Sequence, residues 1–186
     1  MIENGWFEKA RRVPSPNFNQ RPIRDDVSLL VIHNISLPPG VFGGDQVERF
    51  FTNRLGADEH PYFANIADVR VSAHAYIRRQ GEIVQFVPFH QRAWHAGRSE
   101  YQGRPECNDY AIGVELEGTD TQPYTDEQYD ALAMLTAALL SAYPQMSSER
   151  ITGHSTIAPQ RKTDPGPSFD WDRFHTLLQK QQAENS

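Results

Sequence analysis

Ser28 to His33 reads SLLVIH, a continuous apolar and β-branched run that closes on an imidazole. A short run without polar alternation predicts a strand buried on both faces. After it, Pro38-Pro39-Gly40 and Gly43-Gly44 mark a loop. Asp45, with Glu48 three residues on, resembles a capping box opening a short helix through Val47, Phe50 and Phe51. Val71–Arg79 and Glu82–Pro88 flank Gln80-Gly81 and predict an antiparallel hairpin. Ala111–Glu117, AIGVELE, places Ile112, Val114 and Leu116 on one face of a strand and Gly113, Glu115 and Glu117 on the other. Thr125 to Tyr143 is the clearest helix. Thr125 and Gln128 form a capping box, Tyr129, Leu132, Leu135, Thr136, Leu139, Leu140 and Tyr143 recur at helical spacing, and Pro144 stops the run. A last helix is expected near Asp170, with Trp171, Phe174, Leu177 and Leu178 inward and a polar, frayed tail after Gln179.

Strands alternating with amphipathic helices predict an α/β (mixed α+β) fold, with one central mixed sheet flanked by helices. The expected organisation is an N-terminal arm over residues 1–27 packed on the domain, the domain itself over 28–180, and a tail over 181–186. A chain of 186 residues suits a single domain, and 38% hydrophobic residues exclude disorder by composition. A net charge of −6 argues against a nucleic-acid backbone as partner. Met1 to Pro16 has no apolar core or small-residue cleavage site, and no stretch approaches the ~18 apolar residues of a membrane span, so a cytoplasmic protein is expected. The single cysteine, Cys107, allows no intrachain disulfide, which fits a reducing compartment.

Seven histidines are present, but no HExxH, no GxSxG and no GxxxxGK[ST]. Three positions stand out. His33 ends the most apolar strand, His154 closes ITGH, and Asp164 precedes a rigid Pro165-Gly166 turn. Two imidazoles and a carboxylate make a suitable zinc set with a fourth position left for water. Taken singly, each has an ordinary reading: a hydrogen-bonded structural histidine, or an aspartate serving a turn. Glu115 and Lys162 taken alone read equally well as solvated surface charges. Spacing does not bring His33 and His154 together.

Six segments in order change this reading: LLVIHNIS (29–36), VSAHAYI (71–77), AWHAG (93–97), IGVELEGTD (112–120), TGHSTIAP (152–159) and RKTDPGP (161–167). From about Gly5 to Phe174 the chain resembles the type-2 N-acetylmuramoyl-L-alanine amidases, and most closely their cytoplasmic 1,6-anhydro-N-acetylmuramoyl-L-alanine branch. The resemblance implies one zinc ion on His33, His154 and Asp164, Glu115 as general base, and Lys162 stabilising the oxyanion. It implies hydrolysis of the amide between the lactyl group of 1,6-anhydro-N-acetylmuramic acid and L-alanine during peptidoglycan recycling, by a monomer. Asn34, Arg70, His74, Trp94 and His95 match groove or substrate-contact positions, though His95 reads equally as a buried structural histidine. Pro105 and Glu106 depart from the basic residues that relatives can carry there. Two rivals share the resemblance: a peptidoglycan-binding module without catalysis, and a phage or exported enzyme acting on intact wall.

Overall fold

The opening apolar run becomes the centre of the molecule. The computed structural model describes residues 1–186. Six strands form the main sheet: β1 (Arg11–Arg12), β2 (Leu29–Ile35), β3 (Ala75–Ile77), β4 (Ile83–Gln85), β5 (Ala111–Glu117) and β6 (Ile151–Gly153). Their order is β6-β2-β5-β3-β4-β1; the β3–β4 hairpin is antiparallel and every other pair parallel, so the sheet is mixed. The helices are α1 (Gln46–Phe51), α2 (Asp126–Ala142), α3 (His154–Ile157) and α4 (Trp171–Glu184).

Alternation along β2 and β5 builds two layers. Leu30, Ile32, Ile112, Val114 and Leu116 pack against Leu132, Leu135 and Leu139 of α2 and Phe174 and Leu178 of α4. Leu29, Val31 and Ala111 meet Cys107, Tyr110 and Ile157 on the opposite face. Tyr76 and Val84 extend that face toward Val47, Phe50 and Phe51 of α1. Burial on both faces is why β2 carries no polar alternation. No helix is long and apolar enough to cross a membrane.

Register then sets the chemistry. His33 stands opposite Glu115, and Ile32 opposite Gly153, which brings His154 beside His33. Paired residues of neighbouring strands point to the same face. His154, His33 and Glu115 therefore form one row across three parallel strands, toward the carboxyl ends where open α/β sheets bind ligands.

Several expectations need correction. The hairpin strands are three residues each, because Ser72 turns its N–H to the Trp94 carbonyl (3.0 Å) and leaves the hairpin. Helix α1 forms, but Asp45 makes no side-chain cap bond: its carboxylate accepts from Arg49 Nε at 3.2 Å, while Glu48 pairs with Arg11. The tail beyond Gln179 is polar and exposed, yet helical through Glu184. The N-terminal residues supply edge strand β1, a short ribbon of Phe18–Asn19 with Arg92–Ala93, and the buried side chains of Phe7, Ser15, Asn17 and Arg21.

Candidate active site and metal centre

The row of polar residues opens into a groove of about 740 Å³, lined by His33, Asn34, Trp94, His95, Glu115, His154, Lys162 and Asp164 among others. At its floor His33 Nδ1 lies 3.0 Å from His154 Nδ1. Asp164 Oδ2 is 3.3 Å from His33 Nδ1, and Asp164 Oδ1 is 3.2 Å from His154 Nδ1. His33 and His154 are buried, at 1% and 4% exposure. Asp164 arrives on the turn after α3, and the Asn34 N–H donates to its Oδ2 at 3.3 Å.

The outward nitrogens fix what the inward ones are. His154 Nε2 donates to the Ala96 carbonyl at 3.0 Å, so in the neutral ring Nδ1 is a bare lone pair. Burial pushes the His33 imidazole down to about 4 against the pull of Asp164, so this ring is neutral, and its Nε2 lies 2.9 Å from His95 Nδ1. With the proton of each ring on Nε2, lone pairs face a carboxylate and one another, an arrangement a cation reconciles. The separations are close to the roughly 3.3 Å donor–donor edge that tetrahedral N and O ligation at about 2.0 Å requires. His33, His154 and Asp164 could hold a metal ion; one ligand atom from each lies within 4.8 Å of the others. Burial alone would raise the Asp164 carboxyl; a proton carried on the Nδ1 of His154 or His33 is what pulls it below its ordinary range.

Glu115 is buried beside them, with Oε1 3.9 Å from His33 Nδ1 and Oε2 without a partner. Burial, and then the Asp164 charge, push its carboxyl well above the usual carboxylate range, against the opposing pull of Lys162. A carboxyl whose hold on a proton is strengthened in this way is suited to take one up and pass it on.

Residues 23–167 match the Amidase_2 family, N-acetylmuramoyl-L-alanine amidase. The chain belongs to this amidase family. It is 60% identical over 178 residues to the 1,6-anhydro-N-acetylmuramyl-L-alanine amidase AmpD of Citrobacter freundii, covering 96% of this chain and 95% of that one. A crystal structure of a selenomethionine AmpD derivative superposes with a TM-score of 0.94 at 60% identity, covering 96% of this chain and 99% of that one. The Escherichia coli amidase AmiD, in complex with anhydro-N-acetylmuramic acid-L-Ala-D-γ-Glu-L-Lys, superposes with a TM-score of 0.62 at 29% identity, over 84% of this chain and 59% of that one.

Within this amidase the sequence-predicted residues separate. Asn34, Trp94 and His95 line the groove with His33, His154, Asp164, Glu115 and Lys162. The Asn34 amide is tied to Asp120 Oδ1 (2.8 Å), the Tyr124 hydroxyl (3.0 Å) and the Pro165 carbonyl (3.3 Å). His74 is a correction. Its ring is fully buried and outside the groove, with Nδ1 accepting from the Gly113 N–H (3.0 Å) and Nε2 donating to the Gln91 carbonyl (2.8 Å), so no nitrogen is left for a ligand. Arg70 is exposed and outside the lining, its Nη1 turned to the Ala67 carbonyl at 3.1 Å, although Val69 and Val71 on either side line the wall. Pro105 ends an exposed ribbon and Glu106 follows it, exposed too, and neither lines the groove. Asp120, Tyr124 and Asn108 were missed. Each works by bonding to a distant loop or backbone group, and none carries a local pattern.

Proposed function

We propose that this amidase holds one zinc ion on His33, His154 and Asp164 and hydrolyses the amide between the lactyl group of 1,6-anhydro-N-acetylmuramic acid and L-alanine in soluble anhydromuropeptides. The observation that carries this is the convergence of His33 Nδ1, His154 Nδ1 and the Asp164 carboxylate on the floor of a groove beside buried Glu115. Support for the substrate comes from relatives named for that activity at 58–60% identity. Zinc bound there supplies Lewis acidity, polarising a carbonyl and acidifying water.

The chain's own residues do the rest. Glu115 Oε2, buried and unpartnered, takes the water's proton and returns it to the departing L-alanine nitrogen as the water oxygen bonds to the lactyl carbon. Lys162 lines the same groove and offsets the negative charge that grows on the carbonyl oxygen, an effect typically worth ~10²–10³ in rate. Trp94 and His95 offer ring surfaces to the ligand, and Asn34, its amide nitrogen already committed, offers its oxygen. Arg70, exposed between Val69 and Val71 of the wall, would have to leave the Ala67 carbonyl to bind a stem-peptide carboxylate. The cytoplasm is the proposed compartment and peptidoglycan recycling the proposed role, with a monomer as the working form; the single, buried, unpaired Cys107 suits a reducing environment.

The test is turnover of zinc-quantified protein on a soluble anhydromuropeptide, read by mass spectrometry with intact sacculi alongside. Free stem peptide is expected, lost on chelation and restored by zinc. No release at one equivalent of zinc would leave a binding module, and preferential attack on sacculi would replace the substrate.

A further inference from the structure

For His33 and His154 to turn bare Nδ1 atoms inward, each must carry its proton on Nε2, and each Nε2–H then needs an acceptor. Both acceptors come from consecutive residues. His95 Nδ1 faces His33 Nε2 at 2.9 Å, and the Ala96 carbonyl takes His154 Nε2 at 3.0 Å. Residues 94–97 belong to no strand or helix, so the sheet does not fix their position.

Ser72 holds Trp94 at one end and Arg161 takes the Ala96 carbonyl, but the N–H groups of both 95 and 96 fall to a single side-chain atom. Asn108, only 6% exposed, accepts the His95 N–H at 3.1 Å and the Ala96 N–H at 2.8 Å, both on Oδ1. Asn108 is itself anchored, because its carbonyl accepts from Nη1 of buried Arg21 at 3.1 Å. The second lone pair of the Ala96 carbonyl takes Arg161 Nη2 at 2.7 Å, so that oxygen is saturated. The His95 ring lies flat on Gly113 of β5, where a Cβ would come within 2.3 Å of it. Asn108 does not line the groove, so substrate contact does not explain its burial.

We infer that Asn108 is a positioning residue for the metal centre: its side-chain oxygen fixes the 95–96 backbone and thereby holds both histidine ligands in the metal-binding tautomer. The inference rests on the metal reading of His33, His154 and Asp164. An amide oxygen bridging two successive N–H groups acts on both ligands at once, which neither His95 nor the Ala96 carbonyl does alone.

The experiment compares the unsubstituted protein with Asn108→Leu, which keeps the bulk and removes the acceptor, and Asn108→Asp, which keeps the oxygen. Zinc affinity is measured by competition with a chromogenic chelator, the fold by circular dichroism, and the imidazole tautomers of metal-free protein by long-range ¹H–¹⁵N NMR. The expected result is Nε2–H on His33 and His154 in the unsubstituted protein. Zinc should bind folded Asn108→Leu about 10–100-fold more weakly, with affinity restored in Asn108→Asp. Folded Asn108→Leu that binds zinc as tightly as the unsubstituted protein overturns the inference while sparing the metal reading. If the leucine variant does not fold, Asn108→Asp decides alone: folded but tenfold weaker binding refutes the acceptor role. Failure of the unsubstituted protein to bind zinc overturns the metal reading and the inference with it.

Discussion

At the residue scale, the site is defined by what its polar atoms lack. His33 Nδ1 and His154 Nδ1 lie 3.0 Å apart and face the Asp164 carboxylate, with no donor among the three once each ring carries its proton on Nε2. Removing Asp164 takes away the only negative charge in this triad. Asp164→Ala should therefore lose more zinc affinity than the roughly 10–100-fold that outer changes cost, and lose turnover with it; full occupancy and rate in that variant would show the ligand assignment to be wrong. Glu115 is a different case. Its Oε2 is free of partners and it is not one of the three converging ligands. Glu115→Gln should keep zinc and the fold but lower kcat by about 10²–10⁴, the usual worth of a positioned acid–base group. Zinc-loaded Glu115→Gln with near-normal turnover would place the base elsewhere.

At the scale of elements, legibility follows how local each signal is. Helix α2 could be read because its cap is local. Thr125 Oγ1 accepts from the Gln128 N–H, and Gln128 Oε1 accepts from the Thr125 N–H, both at 3.1 Å. The structure adds that the cap also ties the helix to the sheet. Gln128 Nε2 donates to the Ile77 and Glu117 carbonyls (3.1 and 2.9 Å), and the Thr125 hydroxyl donates to the Arg79 carbonyl. Thr125→Ala should cost about 1–2 kcal/mol, a fall in Tm of about 2–8 °C with zinc content unchanged. A melting point equal to that of the unsubstituted protein would mean the cap is dispensable. The same spacing at Asp45 and Glu48 misled because Arg11, distant in sequence, captures Glu48. Strand β1 was unreadable for a like reason: Arg11–Arg12 has no apolar signal and is a strand only by pairing with β4. The meeting of His33 and His154 depends on β2–β6 register, which no local pattern encodes, so family resemblance supplied it where spacing could not. His74 shows the converse. The family resemblance put it at the groove, but the Gly113 and Gln91 backbone claim both nitrogens.

At the scale of the whole molecule, that buried imidazole links stability to pH. His74 is held well below its ordinary value of 6.5, first by burial and then by the Arg21 guanidinium, with lesser repulsion from His90 and His33; its bond to the Gln91 carbonyl opposes these. Above pH 6.5 the ring is neutral in both folded and unfolded chains, and its contribution to stability is fully present. As the pH falls below 6.5 the unfolded chain takes up a proton that the folded chain refuses, so stability drops by up to about 1.4 kcal/mol per pH unit. Other buried groups titrate as well, and Glu115, held above its usual range, contributes with the opposite sign. A comparison with His74→Asn cancels them, since both proteins share Glu115, His33 and Asp164. Asparagine can still accept the Gly113 N–H but does not titrate. In chelator-treated protein followed by urea unfolding, the stability advantage of the unsubstituted chain should be largest near pH 7.5 and shrink as the pH is lowered from 6.5 toward 5.0. A gap independent of pH would mean that His74 protonates in the folded chain as readily as in the unfolded one, and that its two backbone bonds do not hold the ring neutral.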